Sequence, residues 1–109
     1  MKGGDMDEVF KALADPNRRK ILDLVRATPG MNVNDLTQHF EFSRFATMKH
    51  LRILEQAKLV IAKKEWKDKR LYLNAVPIQM IYERWMSGYA GRWAGSLTNL
   101  KDQIEKEKP

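Results

Sequence analysis

Apolar residues recur at helical spacing through the first half of the chain, and polar breakers cut the pattern into short segments. Met6, Val9, Phe10 and Leu13 share a face, predicting a helix over 5–14 with Asp5 as its cap. Asp15-Pro16 restarts a helix in the favoured order, a capping side chain followed by proline in the first turn. Its stripe is Ile21, Leu22, Leu24 and Val25, and Thr28-Pro29-Gly30 stops it. Asn32 is placed to cap a third helix, with Asp35 three residues on and Leu36 and Phe40 facing inward. Glu41-Phe42 forms a short turn, and Ser43 caps a fourth helix reaching about Ala57.

After Lys58 the pattern changes. Leu59 to Trp66 is rich in β-branched and aromatic residues, Trp66 to Arg70 is polar and turn-like, and Leu71-Tyr72-Leu73 is apolar again. This reads as a β-hairpin over 59–74, although the turn has no Asn-Gly pair. Val76-Pro77 ends the strand and opens a last helix, 77–106, bearing Ile78, Ile81, Tyr82, Trp85, Tyr89, Trp93, Leu97, Leu100 and Ile104. Gly88, Gly91 and Gly95 interrupt that helix, each at a cost of about 1 kcal/mol relative to alanine. The expected fold is mainly α with a small β-hairpin, in the order α-α-α-α-β-β-α. It is one domain over 1–109 with a flexible tail at 1–4. The helices flanking Glu41-Phe42, residues 32–57, form a helix-turn-helix, and the hairpin is its wing.

Charge placement turns this architecture toward a polyanion. The chain has 20 Lys+Arg and 14 Asp+Glu, a net charge of +6. Between residues 44 and 70 there are nine basic residues and three acidic ones, so this segment carries the whole excess. On the fourth helix Thr47, Leu51 and Leu54 lie on one stripe, flanked by Ala46 and Ala57. Arg44, Phe45, Met48, Lys49 and Arg52 fall on the other side, where they suit a major groove: cations for guanine, apolar groups for the thymine methyl. Phe45 and Met48 read alternatively as core or interface residues. The helix start at Ser43 offers backbone N–H groups to a phosphate. Lys63, Lys64, Lys67, Lys69 and Arg70 on the wing suit phosphate contacts. Trp66 either stacks on the wing stem or touches a DNA sugar.

Composition removes other chemistry. With no cysteine, disulfides, thiolate metal sites and cysteine nucleophiles are excluded. His39 and His50 read as structural histidines; no metal site and no cofactor are expected. No nucleophile–base pair, phosphate-cradling glycine loop or carboxylate cluster points to an enzyme. The apolar runs are far shorter than the ~20 residues that span a bilayer, so no membrane partner is expected, and a cytoplasmic location is.

Val9 through Leu22 (VFKALADPNRRKIL), Ser43-Arg44 through His50-Leu51, and Leu54 through Val60 (LEQAKLV) together resemble the ArsR-type winged-helix transcriptional repressors. The resemblance covers nearly the whole chain in order. It implies a homodimer joined by the first and last helices and bound as a repressor to a near-palindromic double-stranded DNA operator. Carried over by position, Ser43, Arg44, Phe45, Met48, Lys49 and Arg52 read the DNA. Lys63, Lys64, Lys67, Lys69 and Arg70 form the wing group, and Val9, Phe10, Leu13, Trp85, Tyr89 and Trp93 the interface. Phe45 stands where many members have proline. The cysteine and Asp/His/Glu sets of the metal-sensing members are not found, and the long aromatic last helix, with Ile81-Tyr82-Glu83-Arg84-Trp85, resembles a non-metal-sensing branch with an unknown effector. The dimer has independent support, since Trp85, Tyr89 and Trp93 left exposed would form a large apolar patch. The competing reading of the same basic wing is a module that binds RNA or a protein partner.

Overall fold

The computed structural model describes residues 3–86. The elements are α1 (Gly3–Leu13), α2 (Pro16–Ala27), β1 (Met31–Asn32), α3 (Val33–Thr37), α4 (Arg44–Gln56), β2 (Val60–Glu65), β3 (Asp68–Leu73) and α5 (Val76–Met86).

The joint between α1 and α2 is held by polar side chains. The Asp15 carboxylate accepts from the backbone N–H of Asn17 and of Arg18, at 2.8 and 3.2 Å, and Pro16 fills a position whose N–H would have no helical partner. Arg18 donates through Nε to the Ala12 carbonyl at 2.8 Å and through Nη2 to the Lys11 carbonyl at 3.0 Å. Arg19 donates to the Leu13 carbonyl at 2.7 Å. These are the carbonyls that the end of α1 leaves without intrahelical partners, and cations also suit the negative end of its dipole. Val9, Ala12, Ile21, Leu22 and Val25 are buried beneath this joint, together with Leu36, Leu51, Leu54, Leu59 and Leu71 from the later elements.

The sheet has the order β1-β3-β2 and is antiparallel throughout. Val60 lies opposite Leu73, Lys64 opposite Lys69, and Glu65 opposite Asp68. Side chains alternate across a strand, so Val60 and Leu71 turn to the core while Lys63 and Arg70 share the outer face. Gly30 admits β1 to the sheet: its φ is +85°, and a Cβ there would lie 3.3 Å from the Tyr72 hydroxyl. The connection from α4 into β2 is a Schellman turn. Leu59 N–H donates to the Leu54 carbonyl at 2.9 Å and Lys58 N–H to the Glu55 carbonyl at 3.0 Å, with Lys58 at φ +64°.

Several boundaries differ from the sequence expectation. α1 begins at Gly3, so residues 3 and 4 are helical and Asp5 lies within the first turn. A carboxylate is favoured in a first turn as well as at a cap, so both placements have one sequence signature. Its buried face is Val9 and Ala12, while Phe10 turns outward. α3 ends at Thr37, leaving His39 and Phe40 in the turn. β1 is an additional strand, too short for any periodicity to announce, so the order is α-α-β-α-α-β-β-α. The hairpin turn is only Trp66-Lys67; Asp68, Lys69 and Arg70 belong to β3. The first compact unit ends at Ile78 and a second begins at Gln79. The boundary falls inside α5. Tyr89 and Trp93 lie outside the described residues.

Asp15 tests the α1–α2 joint. Burial opposes its ionisation, but the N–H groups of Arg18 and Asn17 and the charge of Arg18 outweigh that and hold its carboxyl below the usual range. Its contribution is therefore full above the ordinary aspartate value, about 3.9, and is lost as pH falls through the lower folded value. Urea unfolding of Asp15→Ala is expected to show a loss of about 1 kcal/mol at pH 7 that shrinks as pH falls below the ordinary aspartate value. A gap that stays constant with pH contradicts this account.

Candidate nucleic-acid interface

Helix α4 is anchored along one side. Thr47, Leu51 and Leu54 are fully buried and Ala57 nearly so. Ser43 caps its start, its hydroxyl accepting from the Ala46 N–H at 3.1 Å. The opposite side presents Arg44, Phe45, Lys49 and Arg52 to solvent, with Phe45 73% exposed. Met48, expected on that exposed side, is half-buried, because it lines a cleft of about 130 Å³ with Asn32, Asn34, Arg44, Lys67 and Lys69. No acidic residue occupies the first turn of α4. Its N-terminal end thus combines the positive pole of the helix with Arg44, a pairing that disfavours the free helix and favours an anion. The Arg44 guanidinium donates to Asn34 Oδ1 on α3, which holds it over the cleft.

The turn before α4 is pinned by rings. Phe40 stacks on Phe42 with centroids 4.7 Å apart, and Phe42 meets the His50 ring at 5.3 Å. Lys20 lies 4.8 Å over the Phe40 ring and donates to the His39 carbonyl at 3.1 Å. His50 Nδ1 stands 3.4 Å from Arg18 Nη1; arginine only donates, so Nδ1 is the acceptor there. The angle at which α4 leaves the domain is thereby tied to the α1–α2 joint.

The wing is tied to α4 as well. Lys69 Nζ lies 2.9 Å from Glu55 Oε2 on the helix. Arg70 faces Glu65 and Asp68, each at 3.4 Å, and donates to the Gly30 carbonyl at 3.2 Å. Lys69 and Arg70 are therefore spent inside the fold, whereas Lys63, Lys64 and Lys67 are exposed. Trp66 is 94% exposed, so it does not stack on the stem.

This geometry, a capped helix with one outward cationic face beside a basic hairpin, can be set beside known proteins. Residues 15–62 match the description "Bacterial regulatory protein, arsR family". The chain is 46% identical over 55 residues to the transcriptional repressor SdpR of Bacillus subtilis, covering 50% of this chain and 60% of SdpR. It is 34% identical over 89 residues to the uncharacterized HTH-type transcriptional regulator YuzN of Bacillus subtilis, covering 76% of this chain and 97% of YuzN. The chain belongs to the ArsR family. The fold of this ArsR-family chain matches a homodimeric winged helix-turn-helix DNA-binding domain from Mycobacterium bovis with a TM-score of 0.62. That match has 20% identity and covers 76% of this chain and 82% of the other.

The remaining expected residues divide. Val9 is fully buried within the single ArsR-family chain, so it offers no surface to a partner. Leu13 is half-buried, while Phe10 and Trp85 keep 44% and 52% of their surface exposed. Asn34, Glu55 and Arg18 were not expected at the site. Each acts on a residue 10, 14 or 32 positions away, and no local pattern marks such pairs. Among the described residues, no group of three His, Asp or Glu side chains is placed to hold a metal ion.

The wing tie has a direct test. With both side chains about a third exposed, Lys69–Glu55 contributes at most about 1 kcal/mol, so Glu55→Gln leaves the global fold intact. Backbone amides of β3 are expected to exchange up to about fivefold faster. Unchanged exchange there contradicts the tie.

Proposed function

We propose that this ArsR-family chain is a homodimeric, sequence-specific DNA-binding transcriptional repressor acting in the cytoplasm on a near-palindromic operator. α4 enters the major groove, and the wing follows the phosphate backbone. The observation that carries this reading is the division of α4 into a fully buried apolar side and an outward side bearing Arg44, Phe45, Lys49 and Arg52. A groove-reading helix needs both: one side fixes its position, and the other meets base edges. The relatives support it, one being named a transcriptional repressor and a structural neighbour a homodimeric DNA-binding domain.

Within this reading the cations have separate tasks. Arg52 and Lys49 project from the middle of α4 toward bases. Arg44, held by Asn34, sits at the helix start, where a phosphate meets both the guanidinium and the N–H groups of the first turn. Lys63, Lys64 and Lys67 neutralise backbone phosphates. Lys69 and Arg70 position the hairpin that carries them. The dimer draws on exposed apolar side chains of α1 and α5, including Phe10, Tyr82 and Trp85. Two-fold symmetry then sets two α4 helices ~34–36 Å apart, one turn of duplex. The proposal assigns no metal effector, the chain having no cysteine.

The test is a binding titration with the duplex upstream of the chain's own coding region and a scrambled duplex, at ~150 mM salt. The expected specificity ratio is at least ~10³. Arg52→Ala is expected to weaken upstream-duplex binding by ~1–3 kcal/mol and scrambled-duplex binding much less. Lys64→Ala is expected to weaken both and to flatten the salt slope by about one unit. Equal affinity of the unmutated protein for both duplexes, or tighter binding to RNA of the same sequence, contradicts the repressor reading.

A further inference from the structure

Trp66 is placed against two ordinary rules. It is 94% exposed, more than any other large apolar side chain among the described residues. It also sits at φ +58°, in the left-handed region that glycine adopts freely and a tryptophan does not. The turn is a two-residue hairpin connection whose first position has positive φ, where glycine is the favoured residue. An indole here gains almost nothing from burial and strains the backbone, and such outliers cluster at ligand clamps.

Its surroundings point to what it meets. Lys67, the next residue, lines the same cleft as Arg44 and Met48 of α4, so the hairpin tip stands on the groove-facing side of the domain. Lys63, Lys64 and Lys67 are exposed within three positions of Trp66, while the acids that flank the turn, Glu65 and Asp68, are paired to Arg70. The mount is firm: Lys69 is paired to Glu55 on α4, and Arg70 faces Glu65 across the hairpin and Asp68 on its own strand. A firmly held, flat apolar side chain next to exposed lysines, with the neighbouring acids already paired, fits a duplex better than open water.

We infer that Trp66 is a wedge for the minor groove beside the segment read by α4, and that it makes the wing a specificity determinant. This rests on the DNA-binding reading above. With α4 in a major groove, a hairpin tip on the same face meets the neighbouring minor groove. There apolar side chains enter between base steps and partly unstack them. The indole N–H has acceptors available in adenine N3 and thymine O2. Pyrimidine–purine steps unstack most readily, so Trp66 favours TA or CA/TG at the flank without reading hydrogen-bond edges.

The test compares the unmutated protein, Trp66→Gly and Trp66→Phe on the upstream duplex and on a copy whose flanking pyrimidine–purine steps are replaced by G·C-rich steps. Trp66→Gly is expected to bind the upstream duplex roughly tenfold more weakly. It should lose most of the preference for flexible flanks while keeping its salt slope, since no charge is removed. Its melting temperature should equal or exceed that of the unmutated protein, because glycine relieves the strained turn. Trp66→Phe should stay within about threefold of the unmutated affinity. Unmutated-level affinity in Trp66→Gly overturns the inference. So does a lowered melting temperature, which makes the indole a packing residue, or a changed salt slope, which means that the wing itself has moved. An unmutated protein that does not separate the upstream from the scrambled duplex overturns the DNA-binding reading, and the inference with it.

Discussion

Everything functional in this fold depends on α4 being held along only one side. Thr47, Leu51 and Leu54 are fully buried, so the helix cannot roll without opening the core. Losing a buried leucine to alanine typically costs about 2–5 kcal/mol, a large part of a small domain's stability. That packing leaves Arg44, Phe45, Lys49 and Arg52 no direction but outward. The Phe40–Phe42–His50 contacts and Arg18 brace the start of the helix, and the Schellman turn at Lys58 sends the chain straight into the wing. The direction in which α4 presents these side chains is thus set by apolar packing, before any charge acts.

The charge then divides by partner. The basic segment from 44 to 70 looks uniform in one dimension. In three dimensions Lys69 answers Glu55, Arg70 answers Glu65 and Asp68, and Lys58 occupies a left-handed turn position. The acidic residues of the segment are the counter-charges that build the wing, so the cations left over are those able to meet phosphate. Net charge sets the overall attraction of a chain to polyanions, and ion pairing within the fold decides which cations remain available for it.

The helical part of this fold was legible in the chain because its signals are local. Asp15-Pro16, Asn32 and Ser43 all cap the helices their neighbours predicted, and the buried stripe of α4 falls at the expected spacing. Contacts between distant residues were not legible. β1 exists only because Met31 and Asn32 find β3 some 40 positions later, and two residues carry no period. The hairpin turn is shorter than the sequence predicts because Trp66 is a poor residue for a tight turn, and it enters one only with a left-handed backbone. Charge pairing hid in the same way: nothing in the order of residues marks Glu55 as the partner of Lys69. Val9 was expected at an interface through the family resemblance alone, and within the single chain it is fully buried while Phe10 is 44% exposed.

The central claim, that the outward side of α4 and the wing tip together form the DNA surface, is tested most directly by nuclear magnetic resonance with the upstream duplex. Backbone and side-chain shifts should change at Arg44, Phe45, Lys49, Arg52, Lys64 and Trp66, while Ile21 and Val25 within α2 stay still. Shifts centred on α2, or a set of changes that is the same with scrambled duplex, would contradict it.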